Sequence, residues 1–235
     1  MEPVIRVNNL VQKIGRKTLL QGISFEVMPG ECLGIFGTRG AGKTSLAHSL
    51  AGVDRFTSGQ VEILGWNIRK TEKFKQSLGL VTQECSMFRD MTAIENLDFI
   101  GALKKAPRAN IREMIERYEL QEFLSRPAAA LEIGALQRLS LACAQLNRPK
   151  VLIVDEIIKD IDLYSRSLIL KELKQFLAGG GTCVSTFSDF GVCEHIDKVA
   201  WLENGELSLY ELAAARTEWE RQEKFYAEQS GCCHA

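Results

Sequence analysis

At 235 residues, 46% of them hydrophobic, the chain has enough apolar material for one large domain or for a domain carrying a subdomain. Its net charge of −1 leaves no electrostatic footprint for nucleic acid, and no apolar run reaches the ~20 residues that a membrane-spanning helix needs. Met1-Glu2-Pro3 lacks the basic start and apolar stretch of a secretion signal, so a cytoplasmic chain is expected, with Cys32, Cys143 and Cys183 as small core residues in apolar segments.

In chain order, Val4 to Val7 and Ile23 to Val27 read as strands, and Met28-Pro29-Gly30 turns into a short buried strand from Glu31 to Phe36. Gly37-Thr38-Arg39-Gly40-Ala41-Gly42-Lys43-Thr44 follows and fits the phosphate-loop pattern G-x-x-x-x-G-K-[ST]. Its glycines permit torsions that let successive N–H groups point at phosphate oxygens. A helix from Lys43 to Ala51, closed by Gly52, adds its dipole. Lys43 brings a point charge to the outer phosphates, and Thr44 can place a hydroxyl on magnesium.

Gln60 to Leu64 reads as a strand, Gly65 to Ile68 as an edge, and Leu78 to Val81 as a short buried strand ending near Gln83. From Thr92 to about Arg148 the period turns helical: Thr92 and Glu95 make a capping box, and Ile111 to Tyr118 and Leu139 to Leu146 keep helical spacing. Charges balance across this stretch, which argues for a helical insert with solvated faces. Val151 to Val154 is again a buried strand, ending in Asp155-Glu156. In phosphate-loop enzymes an acid at such a strand tip reaches the magnesium shell, and its neighbour can orient the attacking water. A helix from Leu163 to Leu177, a Gly179-Gly180-Gly181 turn, strands Thr182 to Phe187 and Lys198 to Leu202, an Asn204-Gly205 hairpin and a charged helix from Tyr210 to Glu228 complete the chain.

This order of motifs resembles the nucleotide-binding subunit of an ATP-binding-cassette (ABC) transporter over roughly residues 4 to 208. Thr57-Ser58-Gly59-Gln60-Val61, Val81-Thr82-Gln83-Glu84 and Met91-Thr92-Ala93-Ile94-Glu95-Asn96-Leu97 carry the resemblance beyond the phosphate loop, the last of them towards exporters. It implies an α/β fold of the P-loop NTPase type, a RecA-like mixed sheet with an N-terminal antiparallel β part and an inserted helical subdomain. Residues 1–83 and 149–209 would be the ATP-binding core, 84–148 the helical subdomain, and 210–235 a C-terminal helix and tail. Gly37 to Ser45 would hold the phosphates of ATP, with Thr44, Gln83 and Asp155 on magnesium. Glu156, Lys43 and Gln83 would be the catalytic residues, and Asp162 would touch an opposite subunit.

The departures matter equally. The family signature, Leu-Ser-Gly-Gly-Gln, aligns with Leu131-Glu132-Ile133-Gly134-Ala135, so Glu132 would set a carboxylate against the partner's phosphate; this segment reads as a retained helix start. Phe187 aligns with the switch histidine and cannot donate a hydrogen bond. His195 lies eight positions further on and reads as an ordinary histidine. Ile14 stands where an adenine-stacking aromatic is usual, and Ile157-Ile158 follow the acids in place of proline.

The resemblance thus implies the ATP-binding subunit of an exporter, with weak or partner-dependent hydrolysis, a membrane permease partner at the inner face of the membrane, and a second, non-identical cassette closing an ATP sandwich. A regulatory cassette with negligible hydrolysis and a soluble non-transport ATPase are the alternatives. The tail Gly231-Cys232-Cys233-His234-Ala235 lacks a tetrahedral ligand set and reads as a disordered terminus.

Overall fold

Two sheets divide the strands of the computed structural model, which describes residues 2–188 and 196–231, with side chains described as far as Arg221. The first is antiparallel, in the order β2-β1-β4-β5, built from β1 (Ile5–Ile14), β2 (Lys17–Val27), β4 (Ser58–Ile63) and the short edge β5 (Trp66–Asn67). Both opening strands run well beyond the expected Val4–Val7 and Ile23–Val27, joined by a tight turn at Gly15-Arg16. The reason is irregularity in the ladder. Register shifts between Val7 and Leu10 and again on both sides of Gln12 break the alternation of apolar residues, and Asn9 takes φ 48°, so period-two reading stops early.

The second sheet has the order β10-β9-β3-β8-β7-β6, with β3 (Cys32–Phe36), β6 (Leu78–Val81), β7 (Val151–Asp155), β8 (Thr182–Phe187) and β9 (Lys198–Glu203) parallel, and β10 (Glu206–Glu211) antiparallel at the edge. Every residue of β3, β7 and β8 is buried, as expected of a parallel sheet covered on both faces. One face carries α1 (Lys43–Leu50), whose Leu46, Ala47 and Leu50 pack with Leu33, Ile35, Ile153 and Val184. Each fully buried leucine there contributes about 1.5–3 kcal/mol.

The opposite face carries α2 (Ala93–Leu103), α3 (Arg108–Arg117), α4 (Ile133–Gln145), α5 (Leu163–Ala178) and α6 (Leu212–Gly231). The capping box is present: Glu95 N donates to Thr92 Oγ1, and Thr92 N donates to the Glu95 carboxylate at 2.8 Å. The last helix starts later than expected. Tyr210 and Glu211 pair with Val199 and Lys198 in the β10–β9 ladder, which holds them extended until Leu212. Cys32, Cys143 and Cys183 are buried, and burial pushes the Cys143 thiol up to about 12, as suits inert core residues. Among the described residues no helix is long and apolar enough to cross a membrane.

A seam joins the two sheets. Gln21 N donates to Gly205 O at 2.7 Å and its side-chain amide to Asn204 O at 2.8 Å, so the β9–β10 hairpin is bonded to β2. Strand order then sets the site: Phe36 is level with Phe187, and Asp155 with Thr186, which brings the C-terminal ends of β3, β7 and β8 together.

Candidate functional site

The loop after β3 is shaped by what its glycines avoid. A Cβ on Gly37 would stand 2.2 Å from Leu202 O, and Gly42 takes φ 107° as the residue that caps α1. With glycine there and no capping side chain, the first N–H groups of α1 stay available to an anion. Lys43 is only 5% exposed, and its ammonium donates to Gly37 O at 2.8 Å and Thr38 O at 3.2 Å, and lies 3.2 Å from Glu156 Oε1. Three acceptors therefore hold the charge that a phosphate would claim.

Glu156 is the centre of the cluster. The Ser188 hydroxyl donates to its Oε1, Lys159 Nζ stands 3.5 Å from its Oε2, and its backbone N–H donates to Thr186 Oγ1 at 3.1 Å. Burial alone would push this carboxyl up, yet the Ser188 hydroxyl, Lys43 and Lys159 together hold it below the usual carboxylate range. Its backbone sits at φ 48°, a strained setting for a non-glycine residue that the packed strand end maintains.

Of the expected residues, Arg39, Gly40, Gly42, Lys43, Thr44, Ser45, Gln83 and Glu156 line one cleft of about 320 Å³. Gly37 and Thr38 contribute carbonyls to Lys43 from behind it, and Ala41 and Asp155 are not in its lining. Asp155 is fully buried; its Oδ1 accepts from Thr186 Oγ1, and its Oδ2 has no hydrogen-bond partner among the described residues. Such an orphaned carboxylate oxygen fits a cation or its water shell, and the Thr44 and Gln83 side chains supply the hard oxygen donors magnesium prefers. Among the described residues no group of three His, Cys, Asp or Glu side chains could hold a metal alone. A magnesium ion here would need phosphate oxygens and waters for the rest of its shell.

Sequence reasoning missed Ser188 and Lys159, both of which line the cleft. Lys159 carried a signal in its place three residues after Glu156; Ser188 carried only its position directly after β8. Phe187, which aligns with the switch histidine, does not line this cleft but a neighbouring one, beside Glu156, Thr186 and Ser188. Its ring is buried, stacked on Phe36 at 5.2 Å between centroids, because β8 alternates and Thr186 is the residue that turns to Asp155.

The segment from Leu131 to Ala135 stays out of the cleft. Glu132 is exposed in the capping position of α4, and Ile133 is 55% exposed. Gly134 has a local reason to lack a side chain: a Cβ would meet Asp162 Oδ2 at 2.3 Å and Ser165 Oγ at 2.4 Å. Asp162 caps α5, accepting from Ser165 N at 2.8 Å, and this bond holds its carboxyl below the usual range. Ile14 is 62% exposed at the β1–β2 turn. His195 and the Cys232-Cys233-His234 tail lie outside the described residues.

A family model described as ABC transporter matches residues 20–159. The chain is 31% identical over 209 residues to Nod factor export ATP-binding protein I of Ralstonia nicotianae, covering 86% of this chain and 65% of that protein. It is 30% identical over 210 residues to linearmycin resistance ATP-binding protein LnrL of Bacillus subtilis, covering 87% and 68%. It is also 31% identical over 177 residues to spermidine/putrescine import ATP-binding protein PotA of Aggregatibacter actinomycetemcomitans, covering 74% and 48%. The chain thus spans about half to two thirds of the length of these relatives. Among solved structures, an ATP-binding subunit of an ABC transporter superposes with a TM-score of 0.84 at 20% identity, covering 97% of this chain and 99% of that one. A nucleotide-free ATP-binding cassette gives a TM-score of 0.80 at 21% identity, covering 89% and 92%; both likenesses bear on the fold.

Proposed function

Since the chain belongs to the ABC transporter family, we propose that it is an ATP-binding subunit that couples ATP binding, with slow or partner-assisted hydrolysis, to substrate export by a membrane permease. One observation carries the reading: a buried lysine held on loop carbonyls and a strand-end carboxylate, at the head of a helix whose first N–H groups are uncapped. The residues divide the work. Gly37 to Ser45 cradle phosphates, Lys43 moves its charge onto the outer pair, and Glu156 orients the attacking water. Thr44, Gln83 and Asp155 would hold magnesium, which when bound supplies charge neutralisation at those phosphates.

On this reading residues 1–83 and 149–209 are the ATP-binding core, 84–148 the helical subdomain and 210–235 a C-terminal appendage. A second cassette, not identical to this one, would complete the site, because Glu132 and Ile133 are poor phosphate ligands. The subunit would work at the inner face of the membrane, bound through its permease. Relatives named for export and resistance support that direction. Phe187 has no hydrogen-bonding group and stays out of the phosphate cleft's lining, which favours, as a second reading, a regulatory cassette that binds ATP and barely turns it over.

Titration with magnesium-ATP, followed by steady-state turnover of the chain alone and with its genomic partner cassette, tests the proposal. ATP binding with robust turnover only in the mixed complex is expected. Robust hydrolysis by the pure chain would refute the need for a partner; binding with no turnover in any mixture would select the regulatory reading.

A further inference from the structure

We propose that Lys159 is a positioning residue of this site, which keeps Glu156 neutralised once Lys43 has moved to a nucleotide and thereby favours ATP over ADP. The inference rests on the ATP reading above. Its basis is the division of the Glu156 carboxylate between two cations. Lys43 and the Ser188 hydroxyl share Oε1, whereas among the described residues Lys159 is the partner of Oε2, at 3.5 Å. The turn itself places Lys159 there, since its backbone N–H donates to Glu156 O at 3.3 Å.

Nucleotide binding has opposite consequences for the two lysines. Lys43 is buried within the loop, with Gly37 O, Thr38 O and Glu156 as substitutes for phosphate oxygens, and to turn its donors to a ligand it gives up the Glu156 contact. Glu156, 9% exposed, then loses its nearest cation just as an anion arrives. Like charges at that range disfavour each other strongly in a partly desolvated site. Lys159 has no such conflict: it is 41% exposed and holds the other oxygen, so it need not move.

Position also explains why the outermost phosphate should feel this most. Glu156, Lys159 and Ser188 line the phosphate cleft and also a second cleft of about 320 Å³, so these three side chains form the wall common to both. The wall meets Lys43 through Glu156, and on the ATP reading, with Lys43 on the outer phosphates, the terminal group of ATP would lie nearest to it. ADP leaves that space to water, and Glu156 then needs less compensation. Lys159 thus acts through the carboxylate and not by gripping phosphate itself.

The test uses the full chain with magnesium and two ligands, ADP and a β,γ-imido analogue of ATP, measured by calorimetric titration. Lys159→Ala should weaken the analogue about fivefold, the scale of a partly screened ion pair, and ADP by less than about twofold. Lys159→Arg should restore the analogue. In a Glu156→Gln background the same Lys159→Ala change should alter neither affinity, because the charge it balances is gone. Equal weakening of both nucleotides, no weakening of the analogue, or a loss that persists in the Glu156→Gln background would overturn the assignment. A wild-type chain with no affinity for either nucleotide would instead overturn the ATP reading on which it rests.

Discussion

Replacing Phe187 separates a core role for its ring from a role at the phosphates. The ring is 6% exposed and stacks on Phe36, which in turn meets the Trp219 ring edge-on at 6.2 Å. Returning ~150 Å² of aromatic surface to water at ~25 cal/mol/Å² costs ~4 kcal/mol, within the ~3–5 kcal/mol seen when buried phenylalanine is cut to alanine. For a chain of this length that lowers Tm by ~8–16 °C. Phe187→His keeps most of the volume but sets ring nitrogens against Phe36, which costs ~1–3 kcal/mol if they stay unpaired. Thermal unfolding followed by tryptophan fluorescence reads both variants, and calorimetry reads their ATP affinity. ATP affinity in Phe187→His should stay within about twofold of wild type, since the ring does not line the phosphate cleft. A melting point unchanged in Phe187→Ala, or ATP binding or turnover that rises in Phe187→His without loss of stability, would refute this placement of the ring.

Other substitutions probe the site from different sides. Lys43→Ala removes a charge-assisted donor from the phosphate cradle and should weaken ATP by ~1.5–3 kcal/mol, about 10- to 150-fold; equal affinities by calorimetry would rule out the phosphate reading. Gly134→Ala puts a methyl group within 2.4 Å of Ser165 Oγ and should displace the Asp162 cap, costing ~1–2 kcal/mol and quickening amide exchange at the start of α5. Glu156 gives a pH dependence. Its carboxyl is held below the usual range, so its stabilising contribution is fully present above the ordinary value of ~4.3 and disappears as pH falls through the lower folded value. The wild-type Tm should therefore fall more steeply than that of Glu156→Gln as the solution is acidified through that window, and parallel curves would contradict it.

The phosphate loop was legible because its chemistry is local: glycine torsions, lysine and helix start lie within eight consecutive residues. The α/β order and the strand-end acids were legible for a similar reason, since fully buried strands announce themselves as apolar runs. What escaped depended on pairing. Ser188 reaches Glu156 only because β8 lies beside β7 in the sheet, a neighbour relation that no stretch of sequence states. The length of β1 was hidden by its bulges, and the extended state of Tyr210 and Glu211 by a ladder whose other half is β9. Phe187 shows how parity decides: Thr186 turns its hydroxyl to Asp155, and one residue further along the strand the Phe187 ring stacks on Phe36 on the opposite face.

The seam between the sheets has a mechanical consequence. Gln21 ties β2 to the β9–β10 hairpin, and Leu202, on β9, presses its carbonyl to the spot where a Gly37 side chain would be. Gly42 is hemmed in by the same neighbours, with its missing Cβ position 3.2 Å from Leu20 Cδ2 and 3.7 Å from Leu202 Cδ2. The two ends of the loop are therefore held at the seam, while Thr38, Arg39 and Gly40 between them stay exposed. A shift of β2 or of the β9–β10 hairpin thus reaches the loop at Gly42 and Gly37, the two places where it has no room for a side chain.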